Sequence, residues 1–208
     1  MNMFPSTYYE NAGDYSHDYF TGIAEATASV DRAEVARAAT LLQDVIARKG
    51  AVFACGNGGS AAIANHLTCD CLKGIRNGTD VRPNVYSLSS TVELITAIAN
   101  DFSYDKVFSF QLESHGRDGD LLIAISSSGN SPNILEALHL AREIGMKSIA
   151  MTGFSGGEAA KLADVSLWVK AQNYGIVEDV HQSLMHILAQ FARQQHLTDK
   201  SLIGKTKF

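Results

Sequence analysis

The chain has 208 residues, with 17 Lys and Arg against 22 Asp and Glu, for a formal net charge of −5. Its 46% hydrophobic and 19% charged residues can bury a core without disulfides, which excludes an intrinsically disordered chain and makes one domain with a short extension the expected size class. The negative balance argues against non-specific binding to nucleic acid or anionic membranes, yet a phosphorylated small molecule stays open, because backbone amides and hydroxyls hold phosphate without basic residues.

Residues 1–30 have no basic start and no apolar segment, which argues against a secretory signal. No apolar stretch approaches the ~20 residues needed to span a bilayer, so a soluble chain is expected. Cys55, Cys69 and Cys71 form no CxxC pair and leave an odd count, which suits a reducing cytoplasm. Cys69 and Cys71 diverge around a helix and read as core residues.

Residues 6–29 are helix-compatible, with aromatics at Tyr8, Tyr15, Tyr19 and Phe20. Asp31 followed by Glu34 suggests a capping-box start, and Val35, Ala38, Leu42, Val45 and Ile46 repeat at helical spacing until Gly50. Residues 1–48 are therefore predicted to form an N-terminal helical extension that packs on the main domain or on a partner subunit. From residue 51 the pattern changes to short apolar runs at Ala51–Cys55, Val85–Leu88, Leu121–Ile125, Ser148–Met151 and Val165–Val169, separated by helical segments. Such runs read as buried parallel strands, so residues 49–196 are predicted to form an α/β three-layer sandwich on a five-stranded parallel sheet. A last long helix is expected over Val177–Gln195, and residues 197–208 show no periodicity and read as a loose tail.

Two strand ends carry unusual loops. Gly56-Asn57-Gly58-Gly59-Ser60 precedes a helix over Ala61–Leu72, and Ser126-Ser127-Ser128-Gly129-Asn130-Ser131 precedes one over Asn133–Ile144. In open α/β sheets ligands bind at the carboxyl ends of strands, where glycines admit an anion close to the backbone and helix N-termini offer unpaired N–H groups. A single glycine-rich turn is often only a tight connection, but four serines within six residues exceed what a turn requires. No Gly-Lys-Ser/Thr is present, and GNGGS breaks the dinucleotide GxGxxG register.

The titratable residues form two sets. His66 and Asp70 are four apart on the helix after the first loop, and Glu178, His181, Gln182, Met185 and His186 make a stripe on the last helix. Histidine and carboxylate at this spacing can chelate a divalent metal or move protons, and can equally be a solvated pair. Asn100-Asp101 closes the helix-like stretch Thr91–Ala99, as a cap, a turn or polar groups at the sheet edge.

Taken together, GNGGS, Ala99-Asn100-Asp101, the serine loop, Thr152-Gly153 with Gly156-Gly157, and Glu178…His181…His186 resemble the SIS (sugar isomerase) domain, and most closely its phosphoheptose isomerase branch, over about residues 35–195. The resemblance implies a SIS fold of flavodoxin or Rossmann type and interconversion of sedoheptulose 7-phosphate with D-glycero-D-manno-heptose 7-phosphate. It also implies a cytoplasmic homotetramer with active sites at subunit interfaces and one zinc ion per subunit. Ser126, Ser127, Ser128 and Ser131 would hold the phosphate, while Asn57, Gly58, Gly59, Ser60, Asn100, Asp101 and Glu178 would line the substrate. His66, Asp70, Glu178 and His186 fall on the family's metal-ligand positions, with Asp70 and His186 on its base and acid positions. Asp70 stands where the family has Glu, and Glu178 where it has Gln. Two alternatives accompany this reading: a non-catalytic SIS module that binds a protein such as the replication initiator, and an isomerase for another sugar phosphate.

Overall fold

The computed structural model describes residues 3–205. In chain order it contains α1 (Ala12–Ala28), α2 (Arg32–Ala47), β1 (Ala51–Gly56), α3 (Gly59–Cys69), a π-helical turn (Asp70–Ile75), β2 (Asn84–Ser87) and α4 (Val92–Asp101). There follow a 3-10 turn (Tyr104–Lys106), α5 (Ser109–His115), β3 (Leu121–Ser126), α6 (Pro132–Glu143), β4 (Lys147–Thr152), α7 (Ala159–Leu162), β5 (Val165–Trp168) and α8 (Tyr174–Gln195). All five strands are parallel, in the order β2-β1-β3-β4-β5. The predicted three-layer α/β sandwich is what the chain forms.

The layers follow from strand alternation. Val52, Ala54, Ile123, Ile125, Ile149 and Met151 point to one side, into a core shared with Leu42 of α2, Leu67 of α3 and Leu184 and Leu188 of α8. Phe53, Cys55, Leu122, Ala124 and Ala150 point to the other, against Leu112 of α5 and Ile134 and Leu138 of α6. Because both faces are covered, β1 and β3 are buried along their whole length, which explains their uninterrupted apolar sequences.

Several boundaries differ from the sequence pattern for identifiable reasons. The first helix starts at Ala12, not at residue 6, because the Asn11 side chain accepts the Asp14 N–H at 2.9 Å and caps it there. Asp31 caps α2 through the Ala33 N–H at 2.8 Å, but Glu34 does not close a capping box. Its carboxylate accepts from Arg37 at 2.6 Å and from the Ser166 N–H of β5 at 3.1 Å, so α2 is stitched to the sheet. The boundary at residue 48 thus marks a change of sequence pattern rather than of packing, since Ala38, Leu42 and Val45 lie in the same core as the strands. The tail read as loose from residue 197 is anchored in its described part: Leu197 bridges Thr79, the Thr198 N–H donates to Gly78 O at 3.2 Å, and Lys200–Leu202 form a 3-10 turn. Residues 206–208 lie outside the described region. Cys71 is buried as expected, whereas Cys69, at the end of α3, is exposed. Among the described residues no helix is long and apolar enough to cross a membrane.

Candidate active site

The two loops stand side by side because Gly56 of β1 pairs with Ile125 of β3. Ser89 clamps the end of β1: its Oγ accepts the Gly56 N–H at 3.1 Å and donates to the Gly56 carbonyl at 2.8 Å. The chain then turns through Gly58 at φ +54°, a conformation that favours glycine, and enters α3 at Gly59. Ser60 is buried in the first turn of that helix.

The serine loop is built as a converging set of hydroxyls. Ser126 Oγ lies 3.3 Å from Ser131 Oγ and 3.5 Å from Ser128 Oγ, and accepts the Gly129 N–H at 3.2 Å. Ser128 Oγ accepts the Asn130 N–H at 3.2 Å. Ser131 occupies the N-cap of α6 without using its side chain to cap it, so its hydroxyl is turned to the other serines. Ser127 Oγ is buried and has no partner among the described residues. Gly129, at φ +66°, presses against the Gly156 carbonyl, where a side chain would collide, and Asn130 Oδ1 accepts the Glu158 N–H at 3.0 Å. The glycine pair 156–157 therefore braces the serine loop from behind.

The loops are joined through Asn57 by two residues that the sequence pattern did not single out, Asn133 and Tyr104. Asn57 and Asn133 exchange side-chain amide hydrogen bonds, both at 2.9 Å, and Asn133, on the first turn of α6, is only 1% exposed. The Tyr104 hydroxyl donates to Asn57 Oδ1 at 2.9 Å. Asn100 and Asp101, by contrast, end α4 in an exposed pair, with the Asn100 amide donating to Asp101 Oδ1 at 2.8 Å. Within one chain it is Tyr104, a few residues on, that reaches the first loop.

The titratable groups meet along the seam between α3 and α8. His186 Nδ1 and Asp70 Oδ2 are 2.8 Å apart, and His66 Nε2 is 3.4 Å from Asp70 Oδ1. The Asp70 side chain is 13% exposed, against 46% for His66 and 35% for His186, so the carboxylate sits deepest. Asp70 is also where α3 passes into the π-turn, a local widening that recurs at functional sites. Gln182, between the histidines, places its Nε2 at 3.0 Å from both His66 Nδ1 and His186 Nε2.

His66, Asp70 and His186 offer ligand atoms within 4.8 Å of one another. Glu178, the fourth expected ligand, lies outside that group, with its carboxylate packed directly on Gly59 at the start of α3. Burial, and then the neighbouring Asp179 carboxylate, push the Glu178 carboxyl above its ordinary range. His181 belongs to the opposite face of α8. It is fully buried, with Nε2 3.1 Å from the Thr152 carbonyl, and burial pulls its pKa down to about 4 despite that bond. Met185 is likewise core, so only part of the expected stripe faces the seam.

A parallel α/β sandwich with a glycine loop and a serine loop at neighbouring strand ends defines a SIS domain. The SIS domain profile matches residues 15–153, and the chain belongs to that family. More particularly, it is similar to phosphoheptose isomerases. It is 37% identical to the one from Desulfovibrio desulfuricans over 184 residues, covering 85% of this chain and 87% of that one. It is 34% identical to the one from Akkermansia muciniphila over 189 residues, covering 88% and 97%. Among solved structures, the phosphoheptose isomerase from Francisella tularensis superposes with a TM-score of 0.82 at 31% identity, covering 88% of this chain and 99% of that one.

Proposed function

We propose that the chain is a phosphoheptose isomerase, an aldose-ketose isomerase that converts sedoheptulose 7-phosphate to D-glycero-D-manno-heptose 7-phosphate. The observation that carries this reading is the 2.8 Å contact between Asp70 and His186 beside the two loops. The serine hydroxyls, with the N–H groups at the start of α6, would take the phosphate without a basic residue. Moving the carbonyl from C2 to C1 requires a proton to leave C1 and one to arrive at C2 through an enediol. The Asp70 carboxylate would take the C1 proton and return it at C2, while the His186 imidazole carries the hydroxyl proton from O1 to O2. The Asp70–His186 contact favours catalysis over a purely protein-binding SIS module, because such binding needs no acid-base pair.

Two imidazoles and one carboxylate are the donor types of a catalytic zinc site, so the residues fit such an ion. His66, Asp70 and His186 would hold it, joined in the family pattern by Glu178, and its charge would stabilise the enediolate. Exposed Phe20, Tyr174, Ile187 and Phe191 on α1 and α8 support assembly into the expected homotetramer. Three unbridged cysteines suit a cytoplasmic location.

The test is to incubate the purified chain with sedoheptulose 7-phosphate, with added zinc and after chelation, and to follow the aldose by NMR. Aldose formation is expected. Its absence under every condition, with the ketose still bound, would remove the catalytic assignment.

A further inference from the structure

We infer that Tyr104 is a positioning residue that acts through Asn57: its hydroxyl fixes which way the Asn57 amide faces and so makes that side chain a hydrogen-bond donor to a sugar oxygen. The part that concerns the sugar rests on the isomerase reading above. Three side chains from separate elements are involved. Asn57 Nδ2 donates to Asn133 Oδ1 at 2.9 Å, and Asn133 Nδ2 donates back to Asn57 Oδ1 at 2.9 Å. The Tyr104 hydroxyl donates to the same Asn57 Oδ1, also at 2.9 Å.

A reciprocal amide pair does not orient itself. If both amides turn over together, oxygen and nitrogen change places on each side and both bonds form again. A third partner is needed to distinguish the two arrangements, and here it is Tyr104. A phenol is a strong donor and a weak acceptor, because its oxygen lone pair is delocalised into the ring. The hydroxyl therefore holds Oδ1, and not Nδ2, on its own side of the pair.

The count of polar functions then fixes what is left. The Asn57 side chain has two N–H hydrogens and two lone pairs. Asn133 takes one of each and Tyr104 takes the second lone pair, so one N–H remains. Asn57 is half-buried between Gly56 and Gly58 of the glycine loop, which leaves this N–H within reach of a ligand. It would meet a hydroxyl or carbonyl oxygen of the sugar. With the amides turned over, the same position would present an oxygen lone pair instead.

Tyr104 is built to hold this contact. It opens the 3-10 turn, and the next residues, Val107 and Phe108, are 0% and 2% exposed in the core. Lys106 Nζ in the turn meets Glu136 Oε2 of α6 at 2.5 Å, so the turn is tied to the helix that carries Asn133. The Tyr104 side chain itself is largely exposed, so removing its hydroxyl costs little packing.

The test uses the full-length protein with Tyr104→Phe, Asn57→Ala and the double variant, and Asn57→Ser in place of Asn57→Ala if the latter does not fold. Side-chain amide 1H–15N spectra, assigned by the signals lost at position 57, should show one sharp Asn57 NH2 pair in the unaltered protein. In Tyr104→Phe that pair should broaden or double as the amides turn over. With sedoheptulose 7-phosphate and added zinc, kcat/KM of Tyr104→Phe should fall about 3- to 10-fold, the worth of one neutral hydrogen bond, chiefly through KM. In the background altered at position 57, the same substitution should cost less than about twofold, because the group it acts on is gone. A merely structural role would cost as much in both backgrounds. Equal losses in the two backgrounds, or a single sharp Asn57 pair in Tyr104→Phe, overturn the inference. The amide spectra decide it even if the protein turns over no heptose, so its failure and that of the isomerase reading are separable.

Discussion

The strand-end loops and the α3–α8 seam lie beside each other but are assembled by opposite means. The loops are local: Ser126, Ser128 and Ser131 are neighbours in sequence, and their hydroxyls converge because a strand, a Gly129 turn and a helix follow within a few residues. The seam is non-local, since Asp70 meets His186 across 116 positions and each side chain is held mainly by the others. As the proposed phosphate site, the serine loop, with backbone N–H groups beside its hydroxyls, should therefore lose affinity in modest steps when one hydroxyl is removed. A side-chain cluster should lose its chemistry at once.

The largest effect is expected at Asp70. Asp70→Asn keeps the shape but removes the base, so kcat should fall by ~10³-fold or more while thermal stability and phosphate-sugar binding persist. Steady-state kinetics with a thermal-shift binding curve would check this. Retention of substantial turnover would break the contrast with the loops.

Next comes the buried side of α8. His181 binds no proton in the folded state until the pH nears about 4, whereas an unfolded histidine titrates near 6.5. The unfolded chain thus gains protons first as the pH drops. Stability present above 6.5 should be lost progressively as the pH falls from about 6.5 toward about 4, by up to ~3 kcal/mol at about 1.4 kcal/mol per unit. Urea unfolding across that range should show the loss, and His181→Gln should flatten it.

In the serine loop, Ser131→Ala removes a hydroxyl that does not cap α6, so folding stability should change little. Affinity for the phosphorylated sugar should weaken about 10- to 100-fold, the worth of one hydrogen bond to a charged group, with kcat nearly unchanged. A Kd by calorimetry checks it.

The smallest effect is expected where the regions touch. A methyl group in Gly59→Ala would strike the Glu178 carboxylate, the tip of a flexible side chain that can swing away, so the cost should stay below ~1 kcal/mol, and Glu178→Ala in the same chain should restore most of it. A double-mutant cycle of unfolding free energies reads this coupling directly.

The same contrast governs what could be read before the fold was known. The five strands, the sandwich and both loops are legible because a buried parallel strand is a continuous apolar run and a glycine- or serine-rich strand-end loop is a contiguous motif. His66 with Asp70 is legible from i, i+4 spacing, and their meeting with His186 only through resemblance. The bond from Gln182 to His66, the Asn57–Asn133 amide exchange and the Tyr104 contact were not legible, because each joins residues of ordinary type across 47 to 116 positions. Which face of α8 points inward decided the rest. A periodic stripe placed His181 with His186, yet packing against β4 drew His181 into the core and left Gln182 at the seam.

The central claim is that Asp70 and His186 move protons between neighbouring carbons and oxygens of a ketose phosphate. It is tested most directly by running the reaction with sedoheptulose 7-phosphate in deuterated water and following solvent deuterium at C1 and C2 by NMR. The zinc-supplemented protein should exchange deuterium into these positions as aldose appears, and Asp70→Asn should do neither. Aldose formation by Asp70→Asn at the unaltered rate would contradict the account.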